Sequence, residues 1–320
     1  MPSEKDEQQQ AYLLNRLLKR DRHLAKWGRR TETDCYRVYD RDIPEIPLLV
    51  ERYGDEALLA LFERPYEKPE DEELAWLELM KQATSQALAI APDNIHVKVR
   101  RRLGVEDQYE KTSAPEAQLK TVHEHGLAYL VNLHEYLDTG LFMDHRPLRQ
   151  RLRSEAGGMR VLNLFCYTGS FSVCALAGGA ALVHAVDLSN TYLAWAERNI
   201  RLNGLDTALY QGIRTDAIEF LKDAAHSTIR YDRIILDPPT FSNSKKMTGF
   251  LDTNRHWPEL VQLCAKLLAP DGLLYFSTNS RDLRFDAALL PELNSRDISA
   301  STIPEDFRPN AHKAWEISRQ

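Results

Sequence analysis

The sequence lacks several features that would settle its class at once. No run approaches the roughly 18 apolar residues of a membrane span, and Met1 to Gln10 is too polar for a secretory signal. Cysteine is scarce. Cys35, Cys166, Cys174 and Cys264 are the four present; they form no CxxC pair and their spacing suits no metal. Reduced thiols in an intracellular, cytoplasmic protein without a metal are the reading that follows. Internal repeats and low-complexity tracts are missing too. Nor is there an excess of positive charge: the net charge is −6, which is not the balance of a generic nucleic-acid binder.

What is present is the composition of a folded protein with a proper core, 43% hydrophobic over 320 residues, enough for two domains. The charge is unevenly spread. Met1 to Arg30 is rich in Lys and Arg, Asp42 to Glu78 is strongly acidic, and Arg100, Arg101 and Arg102 are consecutive. A locally basic surface can hold phosphates whatever the net charge. Such runs are also ordinary solvated faces.

Apolar residues at Leu13, Leu14, Leu17, Leu18, Leu24 and Trp27 predict a one-sided helix over Ala11 to Trp27, stopped by Gly28. Cys35 to Tyr39 alternates like a strand. Leu48 to Tyr53 and Ala57 to Phe62 read as a hairpin around Gly54-Asp55. Glu72 to Ile90 is the next helix, acidic in its first turn and halted by Pro92. Strands are expected at Ile95 to Arg101, Gln118 to His123 and Leu127 to Asn132. These segments describe a basic N-terminal helix (1–30) and a small α+β domain (31–135), ahead of a larger domain over 136–320. From Arg160 onward strands at 160–165, 181–187, 207–212, 231–237 and 272–278 alternate with helices at 170–178, 190–203, 215–225 and 252–268. That alternation gives a parallel, helix-covered sheet. Closing strands are expected around Ile298 to Ile303 and Ala314 to Ser318.

The larger domain is organised around Val161-Leu-Asn-Leu-Phe-Cys-Tyr-Thr-Gly-Ser-Phe-Ser172 and Ala185-Val-Asp-Leu-Ser189. A buried strand breaks at Tyr167-Thr168-Gly169, a small-residue helix follows, and a second strand ends on Asp187. Strand, turn, helix, strand and acid about 20 residues on is the plan of a nucleoside-binding half, the acid taking both ribose hydroxyls. A pyrophosphate calls for several glycines in the turn, and this turn has one. The pattern therefore points away from NAD or FAD and towards S-adenosylmethionine. An ordinary βαβ unit with a chance terminal Asp is the alternative. Asp216, after the third strand, could accept from an adenine amino group or simply cap a helix. The bridge from Tyr136 to Arg146, with Asp144-His145-Arg146 at its end, could line the same pocket or be a polar linker.

Ile234-Ile-Leu-Asp-Pro-Pro-Thr-Phe-Ser242 carries the chemistry. An apolar strand ends in Asp237-Pro238-Pro239, with Phe241 just beyond. Two prolines stiffen the carboxyl edge of the sheet, where open α/β folds bind substrate. Such a turn can hold a carboxylate against one edge of a planar base while an aromatic ring supports its face. A stiff structural turn is the bland alternative. Lys245 and Lys246 follow, placed to neighbour a phosphate.

Tyr167-Thr-Gly169, Asp187-Leu-Ser189, Glu197-Arg-Asn199, Leu202-Asn-Gly204 and Asp237-Pro-Pro-Thr-Phe-Ser-Asn-Ser-Lys245 together resemble the class I S-adenosylmethionine-dependent ribosomal RNA methyltransferases. Cys35-Tyr-Arg-Val-Tyr-Asp40, the Tyr136 to Arg146 bridge and Thr191-Tyr-Leu-Ala-Trp-Ala-Glu-Arg-Asn199 are similar to the guanine-N7 half of bifunctional bacterial 23S rRNA methyltransferases. The resemblance runs from about Tyr12 to Trp315, with Asp306 to Trp315 matching only loosely. It implies a Rossmann-like, mostly parallel α/β sheet preceded by a small α+β domain, S-adenosylmethionine as cofactor, and methyl transfer to N7 of a guanine in 23S rRNA or a large-subunit precursor. It also implies an RNA-binding, guanine-N2-methylating half, expected here as a separate partner. By resemblance, Phe165, Tyr167 and Gly169 shape the methionine pocket, Asp187 holds the ribose and Asp216 faces the adenine. Asn163, Thr168, Leu188 and Ser189 complete the cofactor contacts, and Asp144 and Arg146 close the pocket. Asp237, Pro238, Pro239 and Phe241 hold the target base; Arg100, Arg101, Arg102, Lys245 and Lys246 meet the RNA.

Two other readings compete: a cytosine-C5 rRNA methyltransferase, and a non-catalytic RNA-binding or ribosome-assembly factor on the same fold. Cytosine C5 needs a cysteine thiolate added to C6. In C5-type relatives that cysteine follows the strand equivalent to Leu273–Ser277, where this chain reads Ser277-Thr-Asn-Ser280.

Overall fold

Ser3 starts the first helix through a reciprocal cap. Its hydroxyl accepts the Asp6 N–H at 3.2 Å, and the Asp6 carboxylate accepts the Ser3 N–H at 3.0 Å. The structure, a computed structural model, describes residues 3–62, 68–100, 119–134, 138–242 and 250–320. The chain forms two compact units, Met1–Gly126 with Val131–Thr139, and Leu127–Leu130 with Gly140–Gln320.

In the first unit, helix α1 spans Glu4–Thr31 and buries Leu13, Leu17 and Leu24. Gly28 does not stop it, contrary to the sequence reading. The helix runs on to Thr31 and ends where Glu32 turns left-handed, φ 50°. Gly28 serves close approach instead: a Cβ there would overlap the Thr33 carbonyl oxygen. Strands β1 (Cys35–Asp40), β2 (Leu48–Tyr53) and β3 (Glu56–Phe62) pair antiparallel, with Gly54 at φ 66° in the hairpin turn. Helix α2 (Glu70–Leu88) crosses over to β4 (Ile95–Arg100), which lies parallel to β3. Leu13, Leu17 and Leu24 share one core with Val50, Leu59, Trp76 and Met80. Strands β5 (Leu119–Glu124) and β6 (Leu127–Asn132) form a separate two-stranded sheet.

The second unit alternates as expected. It comprises α3 (Arg146–Glu155), β7 (Arg160–Leu164), α4 (Ser170–Ala177), β8 (Leu182–Asp187), α5 (Asn190–Leu202), β9 (Tyr210–Arg214), α6 (Ala217–Ala224) and β10 (Tyr231–Leu236). Then come the short pair β11 (Phe241–Ser242) and β12 (Leu251–Asp252), α7 (Thr253–Lys266), β13 (Leu268–Thr278), β14 (Leu293–Asp297), α8 (Ser299–Thr302) and β15 (Lys313–Arg319). The seven-stranded sheet has the order β14-β15-β13-β10-β7-β8-β9. Its five members from β13 to β9 are parallel, and β15 and β14 are antiparallel additions. Strand order reverses between β7 and β10, which is where ligands enter such sheets.

Some boundaries differ from the sequence reading; β13, for one, begins at Leu268 rather than 272. The segment from Ile298 to Ile303 is not a strand. The Asp297 carboxylate accepts the Ser299 N–H at 2.8 Å and starts the turn of α8, and β14 precedes it. The third strand also begins late, because Asp206 caps a 3₁₀ turn over Thr207–Leu209. Among the described residues no helix is long and apolar enough to cross a membrane.

Candidate active site

Register builds the site. Leu164 pairs with Val186 on one side and Leu236 on the other, and Leu236 pairs with Phe276. The next residue on each strand is therefore in one row at the carboxyl edge of the sheet: Phe165, Asp187, Asp237 and Ser277. Three of these were singled out from sequence; Ser277 was seen only as a place without a thiol.

The loop after β7 is held in an unusual shape. Phe165, Tyr167 and Gly169 all take positive φ, at 55°, 50° and 75°. For the two aromatic residues this is a sparsely populated conformation that the surroundings must enforce. Asp187 braces it at Tyr167: Oδ2 accepts the Tyr167 N–H at 3.0 Å, while Oδ1 accepts the Ser189 N–H at 2.8 Å. Burial pushes the Asp187 carboxyl above its ordinary value, and the N–H groups of Ser189, Tyr167 and Leu188 oppose that rise. Gly169 precedes α4, where a Cβ would come within 2.5 Å of the Ala196 Cβ. Thr168 is buried; its hydroxyl donates to the Gly140 carbonyl at 2.5 Å, and its own carbonyl accepts from Asn199 at 2.9 Å. The Tyr167 ring packs between Phe142, centroids 5.2 Å apart, and Tyr192, 4.6 Å.

Other expected cofactor residues also bond within the scaffold. Asn163 is buried and donates to the Ser172 hydroxyl at 3.0 Å, tying β7 to α4. Ser189 caps α5 by accepting the Tyr192 N–H at 3.3 Å, with Leu188 between it and Asp187. Asp216 is a helix cap, as one of its two sequence readings had it: Oδ1 accepts the N–H groups of Ile218 and Glu219 at 2.8 and 3.1 Å.

At the other end of the row, Asp237 Oδ1 accepts the Ser277 hydroxyl at 2.7 Å, and Oδ2 lies 3.4 Å from His145 Nε2. The proline turn is anchored behind it. The Thr253 hydroxyl donates to the Pro239 carbonyl at 2.7 Å, and the Thr253 N–H to Thr240 at 3.0 Å. Pro238 is buried between them in sequence. Phe241 begins β11 with its ring exposed and stacked on Phe250 of the neighbouring turn, centroids 5.9 Å apart.

Asp144 and Arg146 are buried, and both engage the C-terminal segment. Asp144 Oδ2 lies 3.2 Å from His312 Nδ1, and Arg146 Nη1 donates to Asp306 Oδ1 at 2.8 Å. Neither His312 nor Asp306 was foreseen. They sit more than 150 residues from their partners, and no local pattern marks them. The side chain of Arg100 lies outside the described residues, as do Arg101, Arg102, Lys245 and Lys246.

All four cysteines are free and buried. Burial, reinforced by Asp187, pushes the Cys166 thiol well above its ordinary value, and burial does the same at Cys264. Cys174 lies 3.2 Å from the Tyr129 hydroxyl. Neither Cys166 nor Cys264 offers a ready thiolate.

A family model for S-adenosylmethionine-dependent methyltransferases matches residues 38–303. Over 304 residues the chain is 44% identical to the ribosomal RNA large subunit methyltransferase K of Neisseria meningitidis serogroup B, covering 95% of this chain and 86% of that one. It is also 44% identical over 307 residues to the ribosomal RNA large subunit methyltransferase K/L of Pseudomonas putida, covering 95% of this chain and 41% of that one. The chain thus spans less than half the length of the K/L relatives. Among solved structures, the SAM-dependent methyltransferase from Agrobacterium tumefaciens matches with a TM-score of 0.59 at 22% identity, over 85% of this chain and 87% of that one. A chain solved in complex with SAH, and described as a methyltransferase, reaches 0.75 at 23% identity, over 96% of this chain and 81% of that one. At such identities the likeness shows the fold.

Proposed function

The chain belongs to the S-adenosylmethionine-dependent methyltransferase family and has its class I fold, and on that premise we propose that it methylates N7 of a guanine in 23S ribosomal RNA. S-adenosylmethionine is its methyl donor, and the edge residues suit it. They offer a carboxylate held by backbone N–H groups and a turn with one glycine, an acceptor and a turn suited to a nucleoside bearing hydroxyls and no phosphate.

When bound, the donor supplies an electrophilic methyl group on a sulfonium. Asp187, its oxygens oriented by Tyr167 and Ser189, keeps lone pairs for the two ribose hydroxyls. Asp216 uses Oδ1 on its helix, which leaves Oδ2 to accept from the adenine amino group. Phe165, Tyr167 and Gly169 shape the methionine end. Guanine N7 carries an in-plane lone pair and no proton, so no base is required; the protein must align it with the methyl group. Transfer of that methyl group from sulfur to N7 would leave the positive charge on the guanine ring. Asp237, pinned by Ser277, stabilises that charge while Pro238 and Pro239 fix its backbone and Phe241 stacks on the base.

The observation that favours N7 over cytosine C5 is the burial of every thiol while a carboxylate stands at the substrate edge. C5 chemistry needs a thiolate in contact with the base. The same row of residues favours an enzyme over a silent assembly factor. Arg100, Arg101, Arg102, Lys245 and Lys246 are proposed to hold RNA phosphates, a separate guanine-N2-methylating protein to act alongside, and the cytoplasm to be the site of action. Mass spectrometry of nucleosides from large-subunit ribosomal RNA, with and without the gene, tests this reading. Loss of 7-methylguanosine with the gene supports it, and an unchanged 7-methylguanosine level contradicts it.

A further inference from the structure

Asp144, His145 and His312 are buried together beside the sheet edge, with candidate ligand atoms all within 4.8 Å of one another. That grouping has the composition of a metal site, but not its geometry. The two imidazoles stack, with centroids 4.5 Å apart and 12° between their planes. An imidazole nitrogen binds a metal in its own ring plane at about 2.0–2.1 Å, and two stacked, nearly parallel planes do not meet at that distance. The cluster is a hydrogen-bonding device instead.

Its members are used unequally. His312 engages both nitrogens, Nδ1 with Asp144 at 3.2 Å and Nε2 with the Thr302 hydroxyl at 3.0 Å. His145 is only 2% exposed, stacked on His312 and met edge-on by Phe171, with centroids 5.8 Å apart. Its Nε2 faces two carboxylate oxygens, Asp237 Oδ2 at 3.4 Å and Asp144 Oδ2 at 3.9 Å. Its Nδ1 has no hydrogen-bond partner among the described residues. Two acceptors before Nε2 and no acceptor before Nδ1 favour the tautomer with its proton on Nε2.

We propose that His145 is a positioning residue for Asp237. Its Nε2 stands against Oδ2 at 3.4 Å while the Ser277 hydroxyl donates to Oδ1 at 2.7 Å, so both carboxylate oxygens are restrained against the target base. The stack on His312 and the edge of Phe171 set the ring plane, and Asp144 keeps His312 in place. This inference rests on the role proposed for Asp237. His145, 2% exposed, would act on the base only through Asp237.

The test is a mutant cycle in single-turnover methylation of large-subunit ribosomal RNA by the full chain. His145→Asn cannot reach Asp237, and His145→Phe keeps the stack without the donor. Each should lower the rate about 10- to 100-fold while leaving S-adenosylmethionine affinity within about twofold, and His145→Gln, whose amide nitrogen falls near Nε2, should restore most of the rate. In an Asp237→Asn background, His145→Phe should have no further effect. A wild-type rate in His145→Phe overturns the proposal, as does a loss of the same factor in both backgrounds. Full activity of Asp237→Asn alone overturns the role of Asp237 and the positioning with it. An impaired Asp237→Asn with additive His145 variants overturns the positioning alone.

Discussion

Tyr167 and Asp187 are joined by a hydrogen bond of 3.0 Å from the Tyr167 backbone N–H to the Asp187 carboxylate, and that bond braces the turn proposed to receive the donor. The carboxylate that fixes the left-handed turn is also the one proposed to take the ribose. Asp187→Ala should therefore weaken S-adenosylmethionine binding at least about a hundredfold, since two charge-assisted bonds of about 1.5–3 kcal/mol each are lost. Calorimetry on folded protein checks it; unchanged affinity contradicts it. Burial raises the carboxyl above its ordinary 3.8. The ionised form is the one that accepts both hydroxyls, so affinity should begin to fall at a higher pH than an ordinary Asp would give.

Much of this site is legible in the sequence because parallel strands buried on both faces are written as continuous apolar runs. Once β7, β8 and β10 are located, the residue after each run must lie at one edge. What is not legible is what joins distant segments. Asp306 and His312 lie in the segment that matches the family only loosely, yet they hold Arg146 and Asp144. Local misreadings have local causes: Gly28 is a packing glycine within a helix, and Asp297 starts a turn where a closing strand was expected. The first helix starts at Glu4 rather than at the expected Ala11, because Ser3 and Asp6 cap it.

Glu155 predicts the acid behaviour of the second unit. Burial alone would raise its pKa, but donations from Tyr275 at 2.6 Å, Arg233 at 2.9 Å and Arg151 at 3.0 Å outweigh burial and hold it below its ordinary 4.5. A depressed carboxylate contributes stability that is full above the unfolded value and is lost as pH falls through the folded one. Glu155→Gln should cost about 1–3 kcal/mol at neutral pH. The gap from wild type should narrow below pH 4.5 in denaturant titrations. A gap independent of pH contradicts the network.

The buried thiols predict resistance to alkylation. The native enzyme treated with N-ethylmaleimide should retain most of its methyl-transfer activity, and a variant with all four cysteines changed to Ala should methylate RNA if it folds. Rapid inactivation that tracks modification of one thiol contradicts a thiol-free mechanism.

If Arg100, Arg101, Arg102, Lys245 and Lys246 contact phosphates, RNA affinity should fall steeply with salt. Each charge removed should lower the slope of log affinity against log salt by roughly one unit. Neutralised variants with the wild-type slope show instead that these side chains are merely solvated.

The central claim is the atom methylated. Large-subunit ribosomal RNA from cells lacking the gene should be incubated with the purified chain and S-adenosylmethionine, then treated with borohydride and aniline. The account predicts strand cleavage at one guanine, dependent on enzyme and abolished or strongly reduced by Asp237→Ala. Methyl incorporation without cleavage, recovered as 5-methylcytidine on digestion, would contradict it.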